Sequence, residues 1–276
     1  MVNFPNSLDT WSDVTDDVEV VDDAHMNDAH NSIIELEKLL NLLHSTVTSW
    51  KTEKDYITGL EVDYVSATEC TLTTGYAAIN GKIVHSAAVI ELDITSDLRS
   101  GESEEEYKFY YIYIYVSGAS VLAKFSAIAP NADFSHPNET GWRAITGIPN
   151  VAWNFAITHQ YGEFLNLPSL AVYAQGPSGS FTEIDLSPFI PNFSEMAQFI
   201  NAAAADASLA IQVQTACRNG AQFVQCEIRL TGMVENDAMS QTIQVKLYDT
   251  SIWSIAAAGS WVGYYLTGVR LKRRRS

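Results

Sequence analysis

The chain has 276 residues, 47% of them hydrophobic and 18% charged, a composition that supports a folded core and argues against global disorder. Its 16 Lys and Arg against 33 Asp and Glu give a net charge of −17, which disfavours nucleic acid and anionic lipid as general partners. Three Cys make no disulfide scaffold, and no apolar stretch approaches the roughly 18–20 residues of a membrane span, so no membrane insertion is expected.

Residues 1–24 read as an extended acidic arm. It holds Pro5, several Asp and few large apolar groups, Phe4, Leu8 and Trp11 among them. Asp16 and Asp17 belong to a run of acids that no Lys or Arg interrupts before residue 30. Met1–Pro5 carries neither the basic nor the apolar region of a signal peptide, so none is expected. Asp22 and Asp23 then suit a helix start, because carboxylates favour its positive end. Apolar positions continue at Met26, Ala29, Ile33, Leu36, Leu40, Leu43, Val47 and Trp50, in alternating steps of three and four. That rhythm is the signature of a coiled coil and predicts a helix over 25–52. A helix packed on its own domain would give the same pattern. A short helix is marginal alone, so oligomerisation through it needs support from the rest of the chain.

From about Leu60 the period becomes two. Strands are predicted at Leu60–Ser66, Glu69–Thr73, Ala77–Ile79, Lys82–Val89, Glu91–Thr95, Tyr107–Ser117, Ala119–Ile128 and Ala152–Thr158. Asn80-Gly81 is the strongest hairpin signal, and Ser117-Gly118 marks a second tight turn. In Tyr107–Val116 the odd positions carry Tyr or Phe and the even ones are mostly apolar, so the strand is expected to be buried on both faces. Residues 129–147 read as a loop. A second β segment runs over 165–276, with strands at Leu170–Tyr173, Phe181–Asp185, Leu209–Thr215, Phe223–Thr231, Ser240–Lys246 and Val262–Leu271. An Asn219-Gly220 turn pairs Arg218 with Ala221 and gives one apolar and one polar face. Ala197–Ala207 reads as an Ala-rich helix or turn. The basic end, Arg270–Arg275, reads as a solvated tail.

The chemistry of catalysis is missing from the pattern. Six His are scattered, and no HExxH, CxxC, GxSxG, Walker A or GxGxxG sequence occurs. Cys217 and Cys226 do not face each other in the predicted hairpin. The early aspartates lack the central Gly of an EF-hand loop. No catalytic residue, metal site or cofactor is therefore expected.

Three segments together resemble modules of tailed-bacteriophage structural proteins, chiefly tail fibres and similar appendages. The first is Phe4-Pro5-Asn6-Ser7-Leu8-Asp9 with His25-Met26-Asn27 and Ile33–Leu40, which is similar to the arm and helix such proteins share; the Gly that ends their helix is replaced here by Asn41. The second is Tyr111–Val116, Ser126–Pro130, His136-Pro137 and Trp142–Ile148, similar to an aromatic hairpin, a Pro-containing loop and an Arg-led strand. The third is Glu183–Pro191, similar to an element of small β-sandwich modules. The resemblance implies a mainly β homotrimer, elongated, in which the arm (1–24) and coiled-coil helix (25–52) precede two sandwich-like domains at 55–160 and 165–276. It implies a non-enzymatic fibre or appendage protein of the virion, assembled in the host cytoplasm. The arm would bind other virion proteins, and the exposed surface would meet a host glycan or protein. A capsid decoration (head fibre or cement) or connector protein is the alternative.

Overall fold

In a computed structural model, residues 33–40, 56–175, 180–205, 213–219, 222–228, 238–256 and 260–272 are described. The chain divides into two units, Met1–Ser49 and Trp50–Ser276. In the first, residues 33–40 are α-helical, as the three-four rhythm predicts.

The second unit is mainly β. Its first strands are β1 (Ile57–Gly59), β2 (Val62–Tyr64), β3 (Glu69–Leu72), β4 (Gly75–Ile79), β5 (Lys82–Ser86) and β6 (Ile90–Asp93). A four-residue helix, Ile94–Asp97, comes after them, with Asp93 Oδ1 accepting from the Thr95 N–H as its cap. Next are β7 (Lys108–Ser117), β8 (Ser120–Ser126), β9 (Arg143–Val151), β10 (Asn154–Phe155), β11 (His159–Tyr161) and β12 (Phe164–Gln175). The last are β13 (Thr182–Asp185), β14 (Ser194–Ala205), β15 (Val213–Asn219), β16 (Gln222–Ile228), β17 (Ala238–Lys246), β18 (Ser251–Ala256) and β19 (Ser260–Leu271).

These strands form four antiparallel sheets, ordered β1-β4-β5, β10-β9-β7-β8, β17-β14-β19-β12-β11-β2-β3-β6 and β13-β18-β15-β16. The eight-stranded sheet crosses the boundary expected between residues 160 and 165. His159 of β11 pairs with Asp63 of β2 on one side, while Gln160 pairs with Leu165 of β12 on the other. One ladder thus joins strands from both β segments.

Local chemistry accounts for the tight turns. Ile79 pairs with Lys82, and Asn80 and Gly81 both hold left-handed φ, 51° and 73°, as a two-residue hairpin of this hand requires. Ser117 pairs with Ser120 around Gly118, whose φ is 62°. In the later hairpin, however, Asn219 pairs with Gln222, so every pair lies two residues from the expected register. A two-residue shift keeps each side chain on its face, so the apolar pattern does not oppose it. The larger correction is β14. The Ala-rich stretch is an interior strand between β17 and β19, because ladders on both edges override the helix preference of alanine. A second is β18, which pairs with β13 and β15 inside a segment that carried no strand signal.

The eight-stranded sheet meets the sheet β13-β18-β15-β16 at Tyr264. That residue is fully buried, and its hydroxyl lies 2.6 Å from Thr215 Oγ1 and 2.9 Å from Ser254 Oγ. Two sheets face each other there in sandwich fashion, and the polar contact fixes their register where the surroundings are apolar.

Candidate functional site

Of the expected oligomerisation residues, Ile33, Leu36 and Leu40 lie on the described helix. All three are exposed, at 46%, 59% and 45%, and Leu39 beside them is exposed at 61%. The three described residues of the three-four seam are therefore exposed on this helix. The exposed Glu35–Lys38 ion pair, 2.7 Å, sits on the same short segment. Met26, Ala29, Leu43, Val47 and Trp50 lie outside the described residues. So do the expected attachment residues Phe4, Pro5, Leu8, Trp11, Asp16 and Asp17.

The tyrosine-rich strand is core. Phe109 to Ile114 are all buried, on both faces of β7. The buried hydroxyls are matched one by one. Tyr110 Oη accepts from the Glu105 N–H (2.6 Å), Tyr111 Oη accepts from the Asn192 N–H (3.2 Å), and Tyr113 donates to the Ile128 carbonyl (2.7 Å). Burial pushes all three phenols above their ordinary range, so they remain protonated at neutral pH. Toward the end of the strand Tyr115 is half-buried, stacked on Trp142 at 4.7 Å and 8°.

Next to Trp142 the His136 ring contacts Ser126. Ser126 Oγ is 3.2 Å from His136 Nε2 and 2.7 Å from Glu102 Oε1. The Asn138 N–H donates to His136 Nδ1 at 3.0 Å, so in the neutral ring the proton sits on Nε2 and points to Ser126. Ser126 then donates to Glu102, which also accepts from the Ala127 N–H at 2.7 Å. A nucleophilic serine needs the reverse, with imidazole accepting its proton. Ser126 is also fully buried. The relay anchors the loop after β8; it does not activate an oxygen. Burial first, and the neighbouring Arg99 charge second, hold His136 below its ordinary pKa.

A cleft of about 250 Å³ opens beside this cluster, where the Asn80-Gly81 turn of β4–β5 meets the loop between β8 and β9. Asn80, Asp133, Ser135 and Trp142 line it, with Arg143 and Ala78 at its base. The two loops are in close contact, for a Cβ at Gly141 would lie 3.1 Å from Asn80 Nδ2. Arg143 Nη1 donates to the Ala78 carbonyl at 3.1 Å, tying β9 to β4. The guanidinium also lies 5.7 Å from the centre of the Phe134 ring. Phe134 is buried with φ 64°, a conformation costing an aromatic residue about 1–2 kcal/mol. It anchors the loop and leaves its neighbours Asp133 and Ser135 on the cleft. Asp133 Oδ1 accepts from the Ser135 N–H (3.0 Å) and hydroxyl (2.6 Å). Those bonds hold the Asp133 carboxyl below its ordinary pKa, so it is ionised at neutral pH. Sequence reasoning missed this cleft. Asn80-Gly81 stood out only as a turn, and nothing in the chain signals that residues some fifty apart converge on it.

No protein-family model and no curated protein matches the chain. Among solved structures it is similar to a chain in the structure of the infectious bursal disease virus Gx strain, at 10% identity and TM-score 0.22, over 79% of this chain and 69% of that one. It is also similar to a tryptic core variant of Bacillus thuringiensis Cry1Da, at 7% identity and TM-score 0.22, over 78% of this chain and about half (51%) of that one. Likeness at that level carries no argument about function. Among the described residues no helix is long and apolar enough to cross a membrane, and no three His, Cys, Asp or Glu are grouped to hold a metal.

Proposed function

We propose that the chain is a structural, non-enzymatic component of a tailed-phage virion: a fibre or similar appendage that assembles as a parallel homotrimer through residues 25–52 and presents its β unit to the host. The observation that carries this reading is the exposed apolar row on the described helix. Ile33, Leu36 and Leu40 continue the three-four rhythm of the sequence, and each stands about half exposed in one chain. Burying such side chains contributes about 1.5–3 kcal/mol each, and a second and third copy of the same helix offer the matching surface. The resemblance of the arm, the hairpin and the 183–191 element to appendage modules supports the phage setting and favours three chains over two. The buried Ser126–His136 relay, with its proton direction opposite to that of a nucleophile, supports the non-enzymatic part. In this reading the acidic arm docks to a basic groove on another virion protein, since seven carboxylates without a counter-charge call for one.

Light scattering tests it. Three chains of 30.4 kDa give a particle of about 91 kDa. A 30.4 kDa monomer at micromolar concentration contradicts the trimer.

A further inference from the structure

We propose that the cleft between the Asn80-Gly81 turn and the Asp133–Arg143 loop binds one neutral pyranose ring of a surface glycan. The proposal rests on the reading of the β unit as the presented surface.

The chemistry of the lining selects the ligand. A sugar ring has one face of C–H groups and a rim of hydroxyls. Trp142 supplies an apolar wall for the first, held in place by stacking on Tyr115 and by the His136 ring at 5.6 Å. For the hydroxyls there are a carboxylate and an amide on the same cleft, Asp133 and Asn80, while the Ser135 hydroxyl, which donates to Asp133 and accepts from Asn131 Nδ2, holds the carboxylate in place. The two Ser135 bonds both use Asp133 Oδ1, and an ionised carboxylate has about four lone-pair sites, so acceptor capacity remains for ligand hydroxyls. The Asn80 amide both donates and accepts, which lets the site distinguish the orientation of a hydroxyl.

Size and charge narrow the class. At about 250 Å³ the cleft lies below the ~300–1,000 Å³ of drug-sized sites, so it suits a single ring rather than a long ligand. The net charge of −17 repels an anionic sugar. At the cleft itself the Asp133 carboxylate and the Arg143 guanidinium carry opposite charges, so the lining has no net charge to attract an ionic ring and suits a neutral one. The buried, left-handed Phe134 fits a binding role, since strain of this kind persists where it sets the geometry of neighbouring groups.

The test is isothermal titration calorimetry on the full-length protein. The panel is glucose, galactose, mannose and N-acetylglucosamine, with sialic acid and glucosamine as anionic and cationic controls. At least one neutral sugar should bind with a Kd on the order of 1 mM, the level expected for so small a ligand. Asn80→Gly keeps the turn and removes the amide; Asp133→Ala removes the carboxylate. Each should weaken binding by about tenfold while the variant stays folded at the assay temperature, as its melting curve shows. Absence of saturable binding by every neutral sugar overturns the proposal. So does binding of a charged control alone, or wild-type affinity in both variants. Light scattering on the same samples separates the two readings. A sugar-binding monomer overturns the trimer and leaves the cleft standing, and a trimer that binds no sugar overturns the cleft alone.

Discussion

Replacing Tyr264 by Phe removes one oxygen from the place where two sheets meet. Tyr264 and its partners Thr215 and Ser254 are all fully buried, so water cannot substitute for the missing hydroxyl. Two hydrogen bonds are lost, of 2.6 and 2.9 Å, each with a net value of about 0.5–1.5 kcal/mol. Thr215 and Ser254 are direct partners across β15 and β18 and can in part satisfy each other. The expected loss is therefore about 2 kcal/mol rather than the upper limit of about 3. In a unit of this size that lowers the melting temperature by about 4–8 °C. Tyr264→Leu also removes the ring and opens a cavity, so it should cost about 3–5 kcal/mol. Thermal unfolding monitored by near-ultraviolet circular dichroism reads both variants. If Tyr264→Phe melts within about 1 °C of the wild type, the hydroxyl does not join the two sheets and their sandwich packing is wrong.

The same structure sets further outcomes. Gly147→Ala should destabilise by about 1–3 kcal/mol in urea unfolding, because a Cβ there overlaps the Phe109 ring and the Tyr110 carbonyl oxygen, and β7 and β9 are close-packed. Stability should plateau between about pH 6.5 and pH 8.5, above which the unfolded Cys70 thiol ionises while burial keeps the folded one protonated. Below it, unfolded chains take up a proton that His136, with its lowered pKa, refuses, so stability falls as pH falls. Above it, unfolded tyrosines lose protons that Tyr110, Tyr111, Tyr113 and Tyr264 retain, so stability falls as pH rises; urea midpoints across pH 5–11 check both arms. Leu36→Asp should dissociate the oligomer at micromolar concentration without altering the β unit's circular dichroism, since three carboxylates would share one seam.

The parts of this molecule that were legible in the sequence are those where one short segment carries its own reason. Asn80-Gly81 is a hairpin because few other residue pairs adopt two left-handed conformations in succession. The tyrosine-rich strand is buried on both faces because no register leaves it a polar side. The parts that were not legible depend on remote partners. The hairpin after Asn219 has two registers that give identical faces, and the pattern cannot choose between them. Ala202–Ala205 form a strand only because β17 and β19 flank them. The joining of residues 56–97 to the C-terminal strands runs through β11, three residues long, too short to signal its role. Among candidate site residues, Ile33, Leu36 and Leu40 were visible through periodicity. Asp133 and Trp142 were not, because a cleft between two loops leaves no period.

The proposed role sets this protein on a virion as an appendage. Immunogold electron microscopy of intact particles, with antibodies raised against the β unit, tests it most directly. Gold should decorate fibres projecting from the particle. Gold spread evenly over the capsid lattice, or particles without label, would contradict it.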